Sequence, residues 1–91
     1  MKTSFDFYSD PGHGWLRVPM MTLVRLEIAG KISPYSYWRK GHAYLEEDCD
    51  ASLLIKALQD KGYKLKFRER VSRERYSRIR NYENYRSEFY L

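Results

Sequence analysis

The chain has 91 residues, of which 43% are hydrophobic and 32% charged, and this length and balance are typical of one small globular domain. It contains no run of 18 apolar residues and no apolar segment near its first residue, so we expect neither a membrane span nor a signal peptide. A lone cysteine, Cys49, excludes an internal disulfide, and the cytoplasm is the expected compartment.

Positive charge is concentrated at the end of the chain. Residues 1–62 contain eight basic and eight acidic residues, whereas residues 63–91 contain nine basic and four acidic ones. The whole formal net charge of +5 therefore lies in the last 29 residues, where five tyrosines are interleaved with seven arginines. Arginine and aromatic side chains together are typical of surfaces that bind nucleic acid or an acidic protein partner.

The first residues predict a β-hairpin. Phe5 and Phe7 alternate with polar neighbours, which is the period of a strand exposed on one side. Asp10-Pro11-Gly12 is a turn signal, and the segment 15–18 has the composition of a second strand.

A short helix and a second hairpin are predicted next. Pro19 suits the first position of a helix over residues 19–29, and Gly30 is expected to end it. The aromatic and β-branched content of residues 35–46, with a turn at Arg39-Lys40-Gly41, then predicts a hairpin.

Residues 49–61 carry the clearest helical pattern in the chain. Asp48 or Asp50 is expected to cap its N-terminus, and Gly62 is expected to end it. One apolar stripe follows the helical period and predicts the buried face, namely Ala51, Leu54, Ile55 and Leu58.

A strand over residues 63–71 is predicted to follow, with an apolar face and a basic face. Residues 72–91 are polar and predict a basic, Arg/Tyr-rich C-terminal helix or arm. The order β-β-α-β-β-α-β predicts an α+β fold: a small, mainly antiparallel sheet of about five strands packed with two helices. We expect residues 1–71 to form the single α+β domain and residues 72–91 to form a basic extension.

The basic strand face and the C-terminal segment are the predicted binding surface, because their cations can neutralise phosphates and their tyrosines can stack on bases. Its candidate residues are Lys64, Lys66, Arg68, Arg70, Arg73, Arg75, Tyr76, Arg78, Arg80, Tyr82 and Tyr85. The alternative interpretation is that these charged residues form a basic face that is only solvated and binds no partner. A secondary candidate is an aromatic loop region formed by His13, Trp15, Tyr37 and Trp38.

No catalytic residue is predicted. His13 lies in a Pro-Gly-His-Gly loop, where an imidazole could act as acid or base, but no serine or cysteine has an evident partner there. We expect His13 to pack on Trp15 or to cap a turn. Cys49 lies among acidic residues that raise a thiol pKa, and we expect it to be a small, at least half-buried residue at the helix start.

No metal ion or cofactor is predicted either. The chain holds histidines and a cluster of carboxylates, but they do not follow the spacing of known zinc or calcium sites. Gly12 and Gly14 flank His13 without forming a nucleotide-binding fingerprint. The acidic cluster is interpreted as a strand end followed by a capped helix.

Several motifs resemble a family of small proteins from phages, plasmids and other bacterial mobile elements. The motifs are PGHGWLRVP at 11–19, YSY at 35–37, AYLEEDCDA at 43–51 and IRNY at 79–82. The sequence departs from the family at Glu27, where a glycine is expected. No reaction is assigned to this family, so the resemblance implies a context only: such accessory proteins often inhibit host defences, CRISPR systems included.

A second similarity covers residues 14–46. Leu16-Arg17-Val18-Pro19, a short helix and two strands resemble the AbrB-type swapped-hairpin DNA-binding domain, although Gly30-Lys31 replaces the usual Gly-Asp.

The leading hypothesis is a non-enzymatic mobile-element protein that inhibits a host nucleic-acid-targeting defence complex, as anti-CRISPR proteins do. Its partner would be nucleic acid or a protein complex that handles nucleic acid, and a homodimer stays open. The alternative is a stand-alone DNA- or RNA-binding regulator, of the AbrB type or another.

Overall fold

A computed structural model describes residues 1–73 and 76–86 and shows an α+β fold. The strands are β1 (Ser4–Ser9), β2 (Gly14–Pro19), β3 (Tyr37–Arg39), β4 (His42–Glu46), β5 (Lys66–Val71) and β6 (Glu83–Asn84). The helices are α1 (Met20–Arg25) and α2 (Ala51–Asp60), with 3₁₀ turns at Ala29–Lys31 and Arg78–Asn81. None of the helices within the described ranges has the length and apolarity needed to cross a membrane.

All six strands form one sheet in the order β5-β1-β2-β4-β3-β6. Every neighbouring pair is antiparallel except β1 and β5, which run parallel with Phe5 opposite Phe67. The expected α+β class and mainly antiparallel sheet are therefore confirmed. The expected count of about five strands is too low, because β6 adds a short strand beside β3.

The main core lies between one face of the sheet and the helices. Inward side chains alternate along the central strands, as the period of two requires. Three of the four residues of the predicted α2 face, Ala51, Leu54 and Leu58, are buried in the core. The fourth, Ile55, is only partly buried and lines the groove beside β5. The buried sheet residues that α2 and α1 cover include Phe5, Leu16, Val18, Ala43 and Leu45.

Helix α1 is shorter than the predicted span of 19–29. It ends at Arg25, and Glu27 adopts a positive φ of 60°. The amide of Ile28 donates to the carbonyl of Leu23 and that of Glu27 donates to Val24, both at 3.0 Å. These two bonds form a Schellman motif, so Glu27 occupies the position predicted for Gly30.

Helix α2 begins at Ala51 and is also shorter than predicted. Asp50 stands at the N-cap position, but its carboxylate makes no capping hydrogen bond. It accepts hydrogen bonds from Ser33 and from the hydroxyl of Ser36 instead, which ties the helix start to the segment before β3. Cys49 is exposed, so the expectation that it would be at least half-buried is wrong.

Strand β5 begins at Lys66 rather than at residue 63, and it lies at the edge of the sheet with all six residues exposed. The predicted apolar face is not covered: Phe67 is 45% and Val71 66% exposed. This side of β5 lies beside α2, where a groove remains between the helix and the strand.

The described part of the predicted extension belongs to the same fold. Within residues 76–86, Arg78–Asn81 form the 3₁₀ turn and Glu83–Asn84 form β6, rather than a helix or a free arm. Tyr85 is 1% exposed in the main core, and its hydroxyl donates a hydrogen bond to the carbonyl of Ala29. Arg75 and residues 87–91 of the predicted arm lie outside the described residues.

Candidate functional site

The sheet face opposite the helices carries arginines and aromatic side chains from every long strand, and we call it the Arg/Tyr face. Directly paired residues point to the same side of a sheet. The register pairs Asp6 with Arg17 and Arg68, and Tyr8 with Trp15 and Arg70. The pairs that continue this face across the central strands are Arg17 with Tyr44, Trp15 with Glu46, and Tyr37 with Tyr44.

A second, smaller hydrophobic cluster lies on this face beneath the 3₁₀ turn. Trp15, Tyr44 and Ile79 are buried in it. The ring of Tyr44 is 6.1 Å from that of Tyr8 and 5.0 Å from that of Tyr82, both edge to face. Burial raises the pKa of Tyr82 above its ordinary value. The turn is therefore held on the face by aromatic packing.

The basic edge of the face is β5. Lys66, Arg68 and Arg70 alternate along it and point away from the helices, as the sequence predicts. Asp6 pairs with Arg68 at 2.8 Å and lies 3.9 Å from Arg70. Asp6 contributes one negative charge against the three cations of this row, so a net positive charge remains on the edge.

A cleft of about 400 Å³ separates this basic edge from the 3₁₀ turn. Rings of Tyr8, Tyr44 and Tyr82 line it, with Arg70 on one side and Arg78 on the other. We call it the tyrosine cleft. Aromatic rings between two guanidinium groups offer stacking surfaces and cations to one ligand.

A second cleft of about 310 Å³, the His13 cleft, lies at the other end of the turn. His13, Trp15 and Tyr37 line it with Arg80, so three of the four predicted loop residues come together. The fourth, Trp38, packs against the main core on the opposite side of the sheet. The remaining lining residues are Tyr35, Glu46, Asp48 and Cys49.

Arg80 lines the His13 cleft, and its guanidinium is paired. It donates two hydrogen bonds of 2.9 Å to Asp10, and it lies 5.5 Å from the ring of Trp15 and 4.9 Å from that of Tyr76. The bond from Arg80 holds the pKa of Asp10 well below its usual range. Arg80 was predicted as a contact residue, but much of its charge serves to hold the turn.

The other predicted contact residues separate into surface and core positions. Lys64, Arg73, Tyr76 and Arg78 are exposed, which suits a contact role. Tyr85 is buried and cannot take part in a surface, because the strand after the turn carries it into the main core.

The sequence reasoning missed several residues of the site. Tyr8, Tyr44, Arg17 and Arg39 share the face, and the period of two in their strands was the signal that could have placed them there. Arg17 lies 3.5 Å from Nδ1 of His42, whose pKa is lowered by burial.

The chemical groups near His13 do not form a nucleophile–base pair. The imidazole of His13 packs beside Trp15 with ring centroids 6.0 Å apart, as expected. The nearby carboxylate of Glu46 raises the pKa of the Cys49 thiol, which disfavours its thiolate. Across residues 1–73 and 76–86, no three His, Cys, Asp or Glu side chains are grouped to hold a metal ion.

No protein-family model, curated protein or solved structure matches this chain. The assignment of function therefore depends on the geometry of the Arg/Tyr face.

Proposed function

We propose that this protein is a non-enzymatic binding protein whose Arg/Tyr face docks nucleic acid, either alone or within a protein complex that handles it. The observation that carries the proposal is the exposed row of Lys66, Arg68 and Arg70 beside the tyrosine cleft. Alternate side chains along a strand are about 6.7 Å apart, so the row can contact successive groups of an extended polyanion.

The chemistry of the face suits a nucleic acid better than a simple anion. Arginine forms paired hydrogen bonds with phosphate, and tyrosine rings accept stacked bases. Arg70 and Arg78 flank the tyrosines of the cleft, so a backbone and its bases can be held together.

The resemblance to mobile-element proteins supports a biological setting for this surface. A nucleic-acid-targeting defence complex of a bacterial host, of the CRISPR type, is the first partner to test. A stand-alone DNA- or RNA-binding regulator is the alternative, and it differs in binding bare nucleic acid with a strong dependence on salt.

A charge-reversal variant tests the face. We would change Lys66, Arg70 and Arg78 to Glu and retain Arg68, because Asp6 is paired with it. A matched control changes Arg25, Lys31 and Lys61, three exposed residues outside the face, to Glu. Both variants carry the same net charge, so their difference reports the location of the cations.

We expect the face variant to bind single-stranded oligonucleotides at least about tenfold more weakly than the control variant, in gel-shift or calorimetric titrations. A plot of the logarithm of its binding constant against the logarithm of the salt concentration should become less steep, by about one unit of slope for each phosphate that the variant no longer neutralises. Circular dichroism checks that both variants are folded. Equal affinities for the face and control variants would contradict the proposal.

A pull-down from bacterial lysate, with and without nuclease, separates the two settings. A protein complex retained after nuclease treatment, and absent with the face variant, supports docking on a defence complex. Recovery of nucleic acid alone supports the stand-alone regulator.

A further inference from the structure

Two buried polar atoms of the His13 cleft have no hydrogen-bond partner among the described residues. They are Oε1 of Glu46, an acceptor, and Nε1 of Trp15, a donor. The side chain of Glu46 is only 9% exposed. Unpaired buried polar atoms are rare in folded proteins, so a donor and an acceptor left unpaired in one cleft require an explanation, and one ligand that supplies both partners accounts for the two together.

The fold holds these two atoms in place. Trp15 and Glu46 are register partners on β2 and β4, so their side chains lie next to each other on the Arg/Tyr face. Oε2 of Glu46 accepts a 2.9 Å hydrogen bond from the amide of Asp48, which orients the carboxylate. A ligand that reaches Oε1 must displace the half-exposed side chain of His13, whose Nδ1 lies 3.6 Å from this oxygen.

The walls of the cleft are flat and aromatic. The rings of Trp15 and Tyr37 meet edge to face with centroids 6.3 Å apart. Tyr35 is 72% exposed at the rim. A ligand here is therefore a planar group with a hydrogen-bond donor for Glu46 and an acceptor for Trp15.

A nucleobase with an amino group meets all three requirements. In adenine and cytosine the amino donor is next to a ring nitrogen acceptor, and carboxylates accept from such amino groups in base recognition. In uracil the N–H is flanked by two carbonyl oxygens, which would face the carboxylate and repel it.

The surroundings favour a nucleotide over a cationic side chain of a protein. Glu46 and Asp48 alone would also attract an amine or a guanidinium. The surface leading away from the cleft, however, carries Arg80, then Arg78, and then Arg70 in the tyrosine cleft. This path repels a basic peptide and attracts phosphates.

We propose that the His13 cleft binds one unstacked, amino-bearing base of a single-stranded nucleic acid whose phosphates follow the arginines of the turn. The inference rests on the proposed function and adds a base preference to it. Recognition of an unstacked base by aromatic walls and edge hydrogen bonds is the common mode for single strands.

Oligonucleotides of A, C or U with equal length test the preference. Wild-type protein should bind the A and C oligomers about tenfold more tightly than the U oligomer. Glu46→Gln should reduce this ratio towards one and leave U binding within about twofold, since the backbone contacts remain. Glu47→Gln, at an exposed neighbour outside the cleft, is the control and should keep the wild-type ratio.

A second measurement follows the indole N–H resonances of the two tryptophans. Cytidine monophosphate should shift the resonance of Trp15 and not that of Trp38, which lies on the other side of the sheet. Uridine monophosphate should shift Trp15 much less. This readout also works if Glu46→Gln is unstable.

The outcomes separate the two proposals. Equal binding of all three oligomers, unchanged in Glu46→Gln, overturns the base site and leaves the proposed function standing. Wild-type protein that binds no oligomer, and no nucleic-acid-containing complex, overturns the proposed function itself. A Trp15 shift with arginine amide but not with cytidine monophosphate overturns the base site in favour of a basic peptide.

Discussion

Glu27 is the residue at which local sequence and backbone disagree. Its φ of 60° lies in the left-handed region, where a side chain crowds its own backbone and glycine does not. The surrounding core maintains this conformation, because Leu26 and Ile28 are both buried on either side of Glu27. Glycine is the usual residue at this position of a Schellman motif.

Glu27→Gly should raise the free energy of unfolding by about 0.5–1 kcal/mol, because glycine adopts this φ without the crowding of a Cβ atom. Chemical denaturation at neutral pH measures the change. Glu27→Ala is the control, since it removes the charge and keeps the Cβ atom. Equal free energies of unfolding for the Gly and Ala variants would show that the positive φ of residue 27 does not destabilise the protein.

At the scale of elements, Asp10 connects the first hairpin loop to the 3₁₀ turn. Its fully buried carboxylate accepts hydrogen bonds from the amides of Gly12, His13 and Ser77 and from the guanidinium of Arg80. Both clefts depend on this junction, because residues of the loop and the turn line them.

Asp10→Asn should lower the free energy of unfolding at pH 7 by about 1.5–3 kcal/mol, the range for hydrogen bonds to a charged group. The folded-state pKa of Asp10 is depressed, so its contribution is complete above the ordinary aspartate pKa and is lost as pH falls through the folded value. The difference in free energy of unfolding between wild type and Asp10→Asn should therefore become smaller below about pH 4.

Urea unfolding from pH 7 to pH 3 measures this gap. Asp60→Asn is the control, because Asp60 forms an exposed pair with Lys56 that contributes little. A gap for Asp10→Asn that is no larger than that for Asp60→Asn would contradict the role of this junction.

At the scale of the whole molecule, the segment after β5 completes both cores. Tyr85 enters the main core, Ile79 enters the cluster on the Arg/Tyr face, and β6 covers the free edge of β3. The charged segment that binds a partner in our proposal is therefore also needed for stability.

A chain that ends at Ser72 should lose cooperative unfolding. Burying Ile79 and Tyr85 contributes about 1.5–3 kcal/mol each, against a total of about 5–15 kcal/mol for a small domain. A chain that ends at Arg86 is the control, because it retains the 3₁₀ turn, β6 and Tyr85. Thermal unfolding followed by circular dichroism compares them, and a cooperative transition near the wild-type temperature for the shorter chain would contradict the prediction.

Local features were predictable where the signal lies in adjacent residues. The stripe of α2 placed Leu54 and Leu58 correctly, and the turn at Lys40 and Gly41 has positive φ at both residues, as a two-residue hairpin turn requires. Of the candidate site, the row on β5 was predictable from alternation alone. Tyr85 was misplaced, because its side chain is buried by a strand pairing that no local pattern signals.

The sequence by itself determined the positions of most elements, the faces of α2 and β5, and the concentration of positive charge after Gly62, since periodicity and charge are properties of neighbouring residues. Only the tertiary structure decided that β5 runs parallel to β1, that β6 pairs with β3, and which side chains form the two clefts. Arg80 and Asp10, 70 positions apart, meet because packing of the aromatic cluster brings the turn onto the sheet. Pairings over such distances depend on the fit of the whole chain, and the local sequence does not encode them.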